Sequence, residues 1–523
     1  MNRKDQLKQI ENPETIWDIA VIGGGATGLG VALDAALRGL KVVLFEASDL
    51  AKGTSSRSTK LVHGGVRYLA KGDVGLVLEA LYERGLLMKN APHLVKNQSF
   101  IIPAYSWWEG PFYFIGLFLY DLLAGSLSFG RSKYFNAKNV IKKIETLNPK
   151  NIKGGILYHD GQFDDSRLAI NLAQSCTENG GCILNYMKVD SLQKDADNKI
   201  TGLKVEDVEN KKSYTIRAKS IVNATGVFVD SILKMDNPLS KNTVRPSQGV
   251  HIVLDKKFLP GDVSLMIPKT DDGRVLFAIP WHNKVVIGTT DTLINTIDTE
   301  PQALDKEIDF ILDTAGRYLT QAPQKNDVLS VFAGLRPLAA PMHENQTTKE
   351  ISRKHKIIVS SSGLVTIIGG KWTTCRKMAQ DTIDTAIKTA NLTKQKSTTA
   401  NFHIHGYQLE NSQKMLDIYG SDKSKIEELI HQDSSLGVKL HPDYDFTIAH
   451  VIWAIREEMA RSVEDIFARR IRFLFLDARL SMELAPKIAE IMAREFGFDS
   501  AWVNNQISEY NNLAKRYLIK ETA

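Results

Sequence analysis

Apolar residues recur at several distinct spacings along this 523-residue chain, and each spacing predicts a different element. Two short apolar runs, IAVI at residues 19–22 and VVLF at 42–45, bracket a stretch whose apolar positions recur at helical intervals. That order predicts strand, helix, strand, a βαβ unit. Residues 275–291, VLFAIPWHNKVVIGTTD, read as two strands joined by a polar turn around His282 and Asn283. From about residue 397 apolar and charged positions alternate at helical spacing, which predicts a separate α-helical region. Within it residues 448–480 are strongly amphipathic and carry Arg456, Arg461, Arg469, Arg470 and Arg472 among acids, read as a solvated helix face with local ion pairs.

Chemistry enters at the turn of the βαβ unit. Gly23, Gly25 and Gly28 form G-x-G-x-x-G between the first strand and the helix. Such glycines allow a tight turn, close approach of backbone to a pyrophosphate, and close helix–strand packing. The helix N-terminus then offers free N–H groups and a positive dipole end to phosphates. Glu46 ends the second strand, where a carboxylate can accept hydrogen bonds from an adenosine ribose. Thr54, Ser55, Ser56 and Ser58 follow soon after, placed to cover the pyrophosphate. Two later segments repeat the strand-to-turn pattern: SIVNATGVFVD (220–230), with Ala224 and Gly226 at its turn, and GLVTIIGGKWTTCRKMA (363–379), with Gly369 and Gly370. Three such segments far apart in sequence point to an FAD domain built from discontinuous pieces. Domains that bind only NAD are usually contiguous.

Composition narrows the class further. The formal charge of +6 is mild for so long a chain, and no basic stripe with interleaved aromatics is present, so nucleic acid is not an expected partner. Three cysteines cannot make a disulfide framework, show no metal-ligand spacing, and fit a reducing compartment. The first residues are polar and lack the apolar core of a secretion signal.

The motifs SSRSTKLVHGGVRYL, FAIPWHNKVVIGTTD, AGLRPL, GGKWTT and REEMARSVEDIFARRIRFLFLDAR resemble those of the FAD-dependent, quinone-linked glycerol-3-phosphate dehydrogenase family, within the glycine- and D-amino-acid-oxidase-like flavoproteins. The resemblance runs from about residue 17 to about residue 497. It implies FAD as cofactor and oxidation of sn-glycerol 3-phosphate to dihydroxyacetone phosphate. It also implies a substrate site of Arg67, His251, Arg336, Arg353 and Lys371. Arginine suits a phosphate dianion because its planar fork grips two oxygens. His251, on an expected strand, is the leading candidate for general base because imidazole titrates near neutral pH. Arg336 is the rival for polarising the alcohol, and Lys371 is placed between flavin and substrate.

Within residues 105–130, YSWWEGPFYFIGLFLYDLLAGSLSFG, the apolar run from Pro111 to Phe129 approaches the roughly 20 residues a membrane span needs. Asp121 near the middle favours insertion into one leaflet, or an interfacial hairpin, over a crossing. The expected fold is therefore α/β: a Rossmann-like FAD domain from residues 1–75, 151–235 and 356–395, an antiparallel β-rich capping domain at 236–355, and a C-terminal helical domain at 396–523. Residues 76–150 form a helical segment carrying the membrane-associating stretch. The expected enzyme sits on the cytoplasmic face of the cell membrane and passes electrons to a quinone. Oxygen as acceptor, or a related 2-hydroxy-acid or amine oxidoreductase, are the alternatives, and a homodimer stays open.

Overall fold

The computed structural model describes residues 1–69, 72–271, 273–340, 355–409 and 415–520, with the side chains of Arg67 and Tyr68 outside the description. The βαβ unit forms as its pattern predicts: strand Ile16–Ile22, helix Ala26–Leu37, strand Val42–Phe45. Both strands are buried along nearly their whole length, as their continuous apolar runs require. Ile16–Ile22 pairs in parallel with Val42–Phe45 on one side and with Ser213–Asn223 on the other. The next parallel neighbours are Cys182–Leu184 beyond Val42–Phe45 and Val365–Ile368 beyond Ser213–Asn223. Strands more than 300 residues apart, Ile16–Ile22 and Val365–Ile368, thus belong to one eight-stranded sheet, with Ser213–Asn223 between them. Helix Cys375–Thr389 packs across helix Ala26–Leu37 where Gly30 leaves room for Ala379.

A second, ten-stranded and mainly antiparallel sheet stands over the first. Its spine is the long pair Val244–Asp255 and Val328–Ala339, in a register that sets His251 opposite Phe332. The hairpin expected at residues 275–291 is present as Leu276–Trp281 and Lys284–Gly288. Its turn residues His282 and Asn283 both have positive φ, 45° and 60°, the geometry of a two-residue turn matched to strand twist.

The C-terminal region is helical, with Ile448–Glu457, Ala478–Phe496 and Ser500–Ala514 its longest regular elements after residue 440. One hydrophobic cluster contains Ile19, Val21 and Leu29 of the first unit together with Ile466, Leu474 and Ile488, so these helices share a core with the parallel sheet.

The structure corrects the reading of the arginines. Arg456 and Arg461 do make surface pairs, with Glu495 and Glu209. Arg469, Arg470 and Arg472 are each 2% exposed or less. Arg469 and Arg470 both bind Asp49, at 2.5 and 2.8 Å. Arg472 reaches Asp165 at 2.9 Å and the carbonyl of Ser56 at 3.0 Å. The helical period breaks here: Asp465–Arg470 is a π-helical turn, and Arg472 follows with φ 68°. The break turns successive arginines inward, where Asp49 and Asp165, hundreds of residues away, join the local acids Glu458, Glu464 and Asp465 as partners. Burial alone would raise the Asp49 carboxyl, but Arg470 and Arg469 hold it well below the usual carboxylate range.

Removing one partner of a buried ion pair leaves an uncompensated charge and costs roughly 3–5 kcal/mol. Arg470→Ala is therefore expected to lower the thermal unfolding temperature sharply. Arg494→Ala, on an exposed helix face, should leave it within the effect of about 0.5 kcal/mol typical of surface changes. Thermal denaturation of the two variants side by side checks this.

Candidate active site

Between the two sheets lies a cavity of about 690 Å³. That volume falls within the roughly 300–1,000 Å³ usual for small-molecule sites. All three strand-to-turn segments open onto it: Gly23 and Gly25 from the first, Ala224 and Gly226 from the second, Gly369, Gly370 and Lys371 from the third. Gly23 has φ +108°, and a Cβ there would lie 2.8 Å from the Ala224 carbonyl oxygen. A Cβ on Gly28 would lie 1.8 Å from the Gly23 carbonyl oxygen. These glycines are thus imposed by backbone packing, and the helix N-terminus at Ala26 faces the cavity as an anion site.

Glu46 lies on the cavity wall just past its strand. Its carboxylate accepts the Gly24 and Ser48 backbone N–H groups at 2.7 and 2.9 Å. Burial pushes its pKa up, and these two bonds oppose that.

The hydroxyl run divides. Thr54, Ser55 and Ser58 line the cavity. Thr54 donates to the Leu335 carbonyl at 2.5 Å. Ser55 Oγ accepts the Ala26 N–H at 2.9 Å, and its carbonyl accepts the Trp372 indole N–H at 2.9 Å, tying the first glycine turn to the third segment. Ser58 donates to Asp165 at 2.7 Å. Ser56 is buried away from the cavity, with its carbonyl accepting from Lys60 and Arg472, so its side chain is not part of the wall.

His251, Arg336 and Lys371 also line the cavity, brought to it from three different strands or turns. Arg336 Nη2 donates to Thr289 Oγ1 at 3.0 Å and to the Thr290 carbonyl at 3.1 Å, with Asp291 3.5 Å from Nη1. This bracing points the guanidinium at the cavity with 21% of its side chain accessible. His251 is 2% exposed and bonds Thr59 Oγ1 through Nε2 at 2.9 Å. Its pKa does not rest at the neutral value expected from imidazole alone: burial first, then Lys60 and Arg336, hold it well below. These causes favour the neutral imidazole, which carries one N–H and one lone pair. Arg67 belongs to the short helix Val66–Leu69, but its side chain lies outside the description, and Arg353 lies outside the described residues.

Sequence reasoning missed Thr59, Arg57, Arg274, Asp291 and Trp372, all of which line the cavity. Thr59 and Trp372 sit inside motifs already singled out, so their place next to the glycines was the available signal. Arg274 just precedes the predicted hairpin and Asp291 ends it, and both come to the cavity through the folding of that hairpin into the second sheet.

Comparison with known proteins agrees with this geometry. Residues 18–376 match the FAD dependent oxidoreductase family, and residues 361–503 match the C-terminal domain of alpha-glycerophosphate oxidase. The mitochondrial glycerol-3-phosphate dehydrogenase of Macaca fascicularis is 37% identical over 99% of this chain and 75% of its own length. That of Schizosaccharomyces pombe is 37% identical over 97% of this chain and 88% of its own. The solved glycerol-3-phosphate dehydrogenase of Bacillus halodurans, complexed with FAD, superposes with a TM-score of 0.77 at 29% identity, covering 100% of this chain and 99% of that one. The chain belongs to the FAD-dependent glycerol-3-phosphate dehydrogenase family.

Proposed function

We propose that this chain oxidises sn-glycerol 3-phosphate to dihydroxyacetone phosphate with FAD as cofactor, and that the electrons leave to a quinone at the cytoplasmic face of the cell membrane. The observation that carries the first half is one cavity in which dinucleotide-type glycine turns meet Arg336, Lys371 and His251. FAD supplies the hydride acceptor when bound there. Arg336 and Lys371 provide fixed positive charge for the phosphate dianion, and the guanidinium is held by Thr289 and Thr290 before substrate arrives. His251 takes the hydroxyl proton, and its burial excludes water from that transfer.

Membrane attachment is supported by helix Glu109–Ala124. Trp108, Phe112, Ile115, Leu119 and Leu122, spaced four and three residues apart, form one stripe and are 44–67% exposed. Leu117, Tyr120 and Ala124 on the other face are buried. Asp121 does not face outward: its carboxylate accepts the Ser132 N–H at 2.6 Å. The helix has 16 residues. At about 1.5 Å per residue that is roughly 24 Å, short of the roughly 30 Å hydrocarbon core. It suits lying in one leaflet, with exposed Lys133, Lys138, Lys142 and Lys143 close by in sequence for anionic headgroups.

The quinone reading is supported by what lies behind that helix. Cavity residues Leu61, Phe100, Tyr158, Met266 and Phe277 belong to the same apolar cluster as Leu117, Tyr113 and Phe114 of the helix. An apolar acceptor entering from lipid would meet an apolar wall.

Anaerobic sn-glycerol 3-phosphate is expected to bleach the flavin absorbance of the yellow protein, and a quinone analogue to restore it faster than oxygen does. Rapid recovery in air would make oxygen the acceptor, and no bleaching of a flavin that dithionite still reduces would end the glycerol 3-phosphate reading. The double variant Ile115→Asp, Leu119→Asp should lose co-flotation with anionic liposomes while keeping FAD and anaerobic bleaching; unchanged flotation would remove this helix from the attachment.

A further inference from the structure

His251 is enclosed on three sides. A Cβ on Gly288 would lie 2.3 Å from its Cδ2, so that edge is backed against the neighbouring strand. Thr59 Oγ1 sits 2.9 Å from Nε2. Phe332 stacks on the ring at 4.8 Å and 13°. What remains is the Nδ1 edge, buried and without a hydrogen-bond partner among the described residues, on a ring that lines the cavity.

The residue after Thr59 is a fully buried lysine, a costly choice that needs a reason. Lys60 Nζ donates to Asp165 and to the Ser56 carbonyl, each at 2.7 Å. It lies 5.2, 5.3 and 5.4 Å from the ring centres of Trp281, Phe332 and Phe475. Phe332 is therefore shared: it faces the ammonium and it stacks on His251.

From this arrangement we propose that the Thr59–Lys60 pair is a positioning device for the reaction. Thr59 accepts the Nε2 proton of His251 and leaves Nδ1 as the lone pair that receives the substrate's hydroxyl proton. The Lys60 ammonium, beside Phe332, keeps that imidazole unprotonated until then. The inference rests on the reading of His251 as the base. A neutral imidazole carries one N–H and one lone pair, so whichever nitrogen is satisfied by a partner decides which is free.

The charges facing His251 are Lys60, just before strand Leu61–Val62, and Arg336 from the adjacent strand. Behind Lys60 stand Asp165, Asp164 and Arg472, and behind Arg336 stands Asp291. Burial brings Lys60 itself down to about 7, with Asp165 opposing. Lys60 is thus a cation in the acidic range, where a proton would otherwise settle on His251. Taking that charge away raises the His251 pKa, so the acid limb of the reaction must move to higher pH.

The test follows the FAD-loaded protein with histidine labelled with carbon-13 at Cε1, the His251 resonance being assigned by its loss in His251→Asn. Flavin reduction by sn-glycerol 3-phosphate is measured across the same pH range. In Lys60→Met the His251 protonation midpoint and the acid limb should both move up in pH, and Lys60→Arg should hold the midpoint low. Thr59→Val should cut the reduction rate at least about tenfold, part of the roughly 10²–10⁴ that a positioned base supplies. Substrate affinity should change little, and Thr59→Ser should restore the rate. Unmoved midpoints in Lys60→Met overturn the proposal. Lys60→Met strands Asp165 with Arg472 and can lose FAD. Thr59→Val leaves that pair intact, and a wild-type rate there overturns the proposal on its own. A wild-type rate in His251→Asn removes the base reading itself. A dead His251→Asn beside unaffected Thr59→Val and Lys60→Met removes only the positioning device.

Discussion

The ion pairs of Asp165 hold this site together. One carboxylate, fully buried at the start of helix Asp165–Glu178, accepts from Lys60, Ser58 and Arg472. Through Ser58 and Lys60 it holds the loop that lines the cavity, and through Arg472 it joins that loop to the C-terminal region. A dry site makes each of these bonds strong and each loss expensive. The C-terminal helices are thus part of the site's support without touching the cavity.

Small residues and backbone registers do the rest. Gly23 and Gly28 bring strand, turn and helix within reach of one another, and Gly288 lets the His251 ring lie against its neighbour strand. The pairing of Val244–Asp255 with Val328–Ala339 sets Arg336 four residue pairs beyond the one that places Phe332 against His251. Positioning of charge and ring therefore comes from sheet register, which is stiffer than loop geometry.

What the sequence made legible was what local pattern decides. The glycine turn, the two later strand-to-turn segments and the hairpin at His282–Asn283 each carry their own turn chemistry, and all formed, with Glu46 at the end of its strand. The buried arginines were misread because amphipathic spacing shows only that one face differs from another. Asp49 and Asp165, which bury Arg469, Arg470 and Arg472, are invisible at that range. Ser56 was grouped with its neighbours because a run of hydroxyls does not reveal which one the turn points inward. Thr59 and Lys60 sat inside a recognised motif, yet their meaning depends on Phe332 and His251 arriving from two distant strands.

The central claim is that the cavity's cationic end binds the phosphorylated substrate against the flavin. It is tested most directly by titrating dihydroxyacetone phosphate into the oxidised, FAD-loaded protein and into Arg336→Gln while recording the flavin absorbance spectrum. A saturable spectral perturbation in the native chain, lost in Arg336→Gln with FAD content unchanged, is the expected result. An equal perturbation in both, at equal ligand concentration, would contradict it.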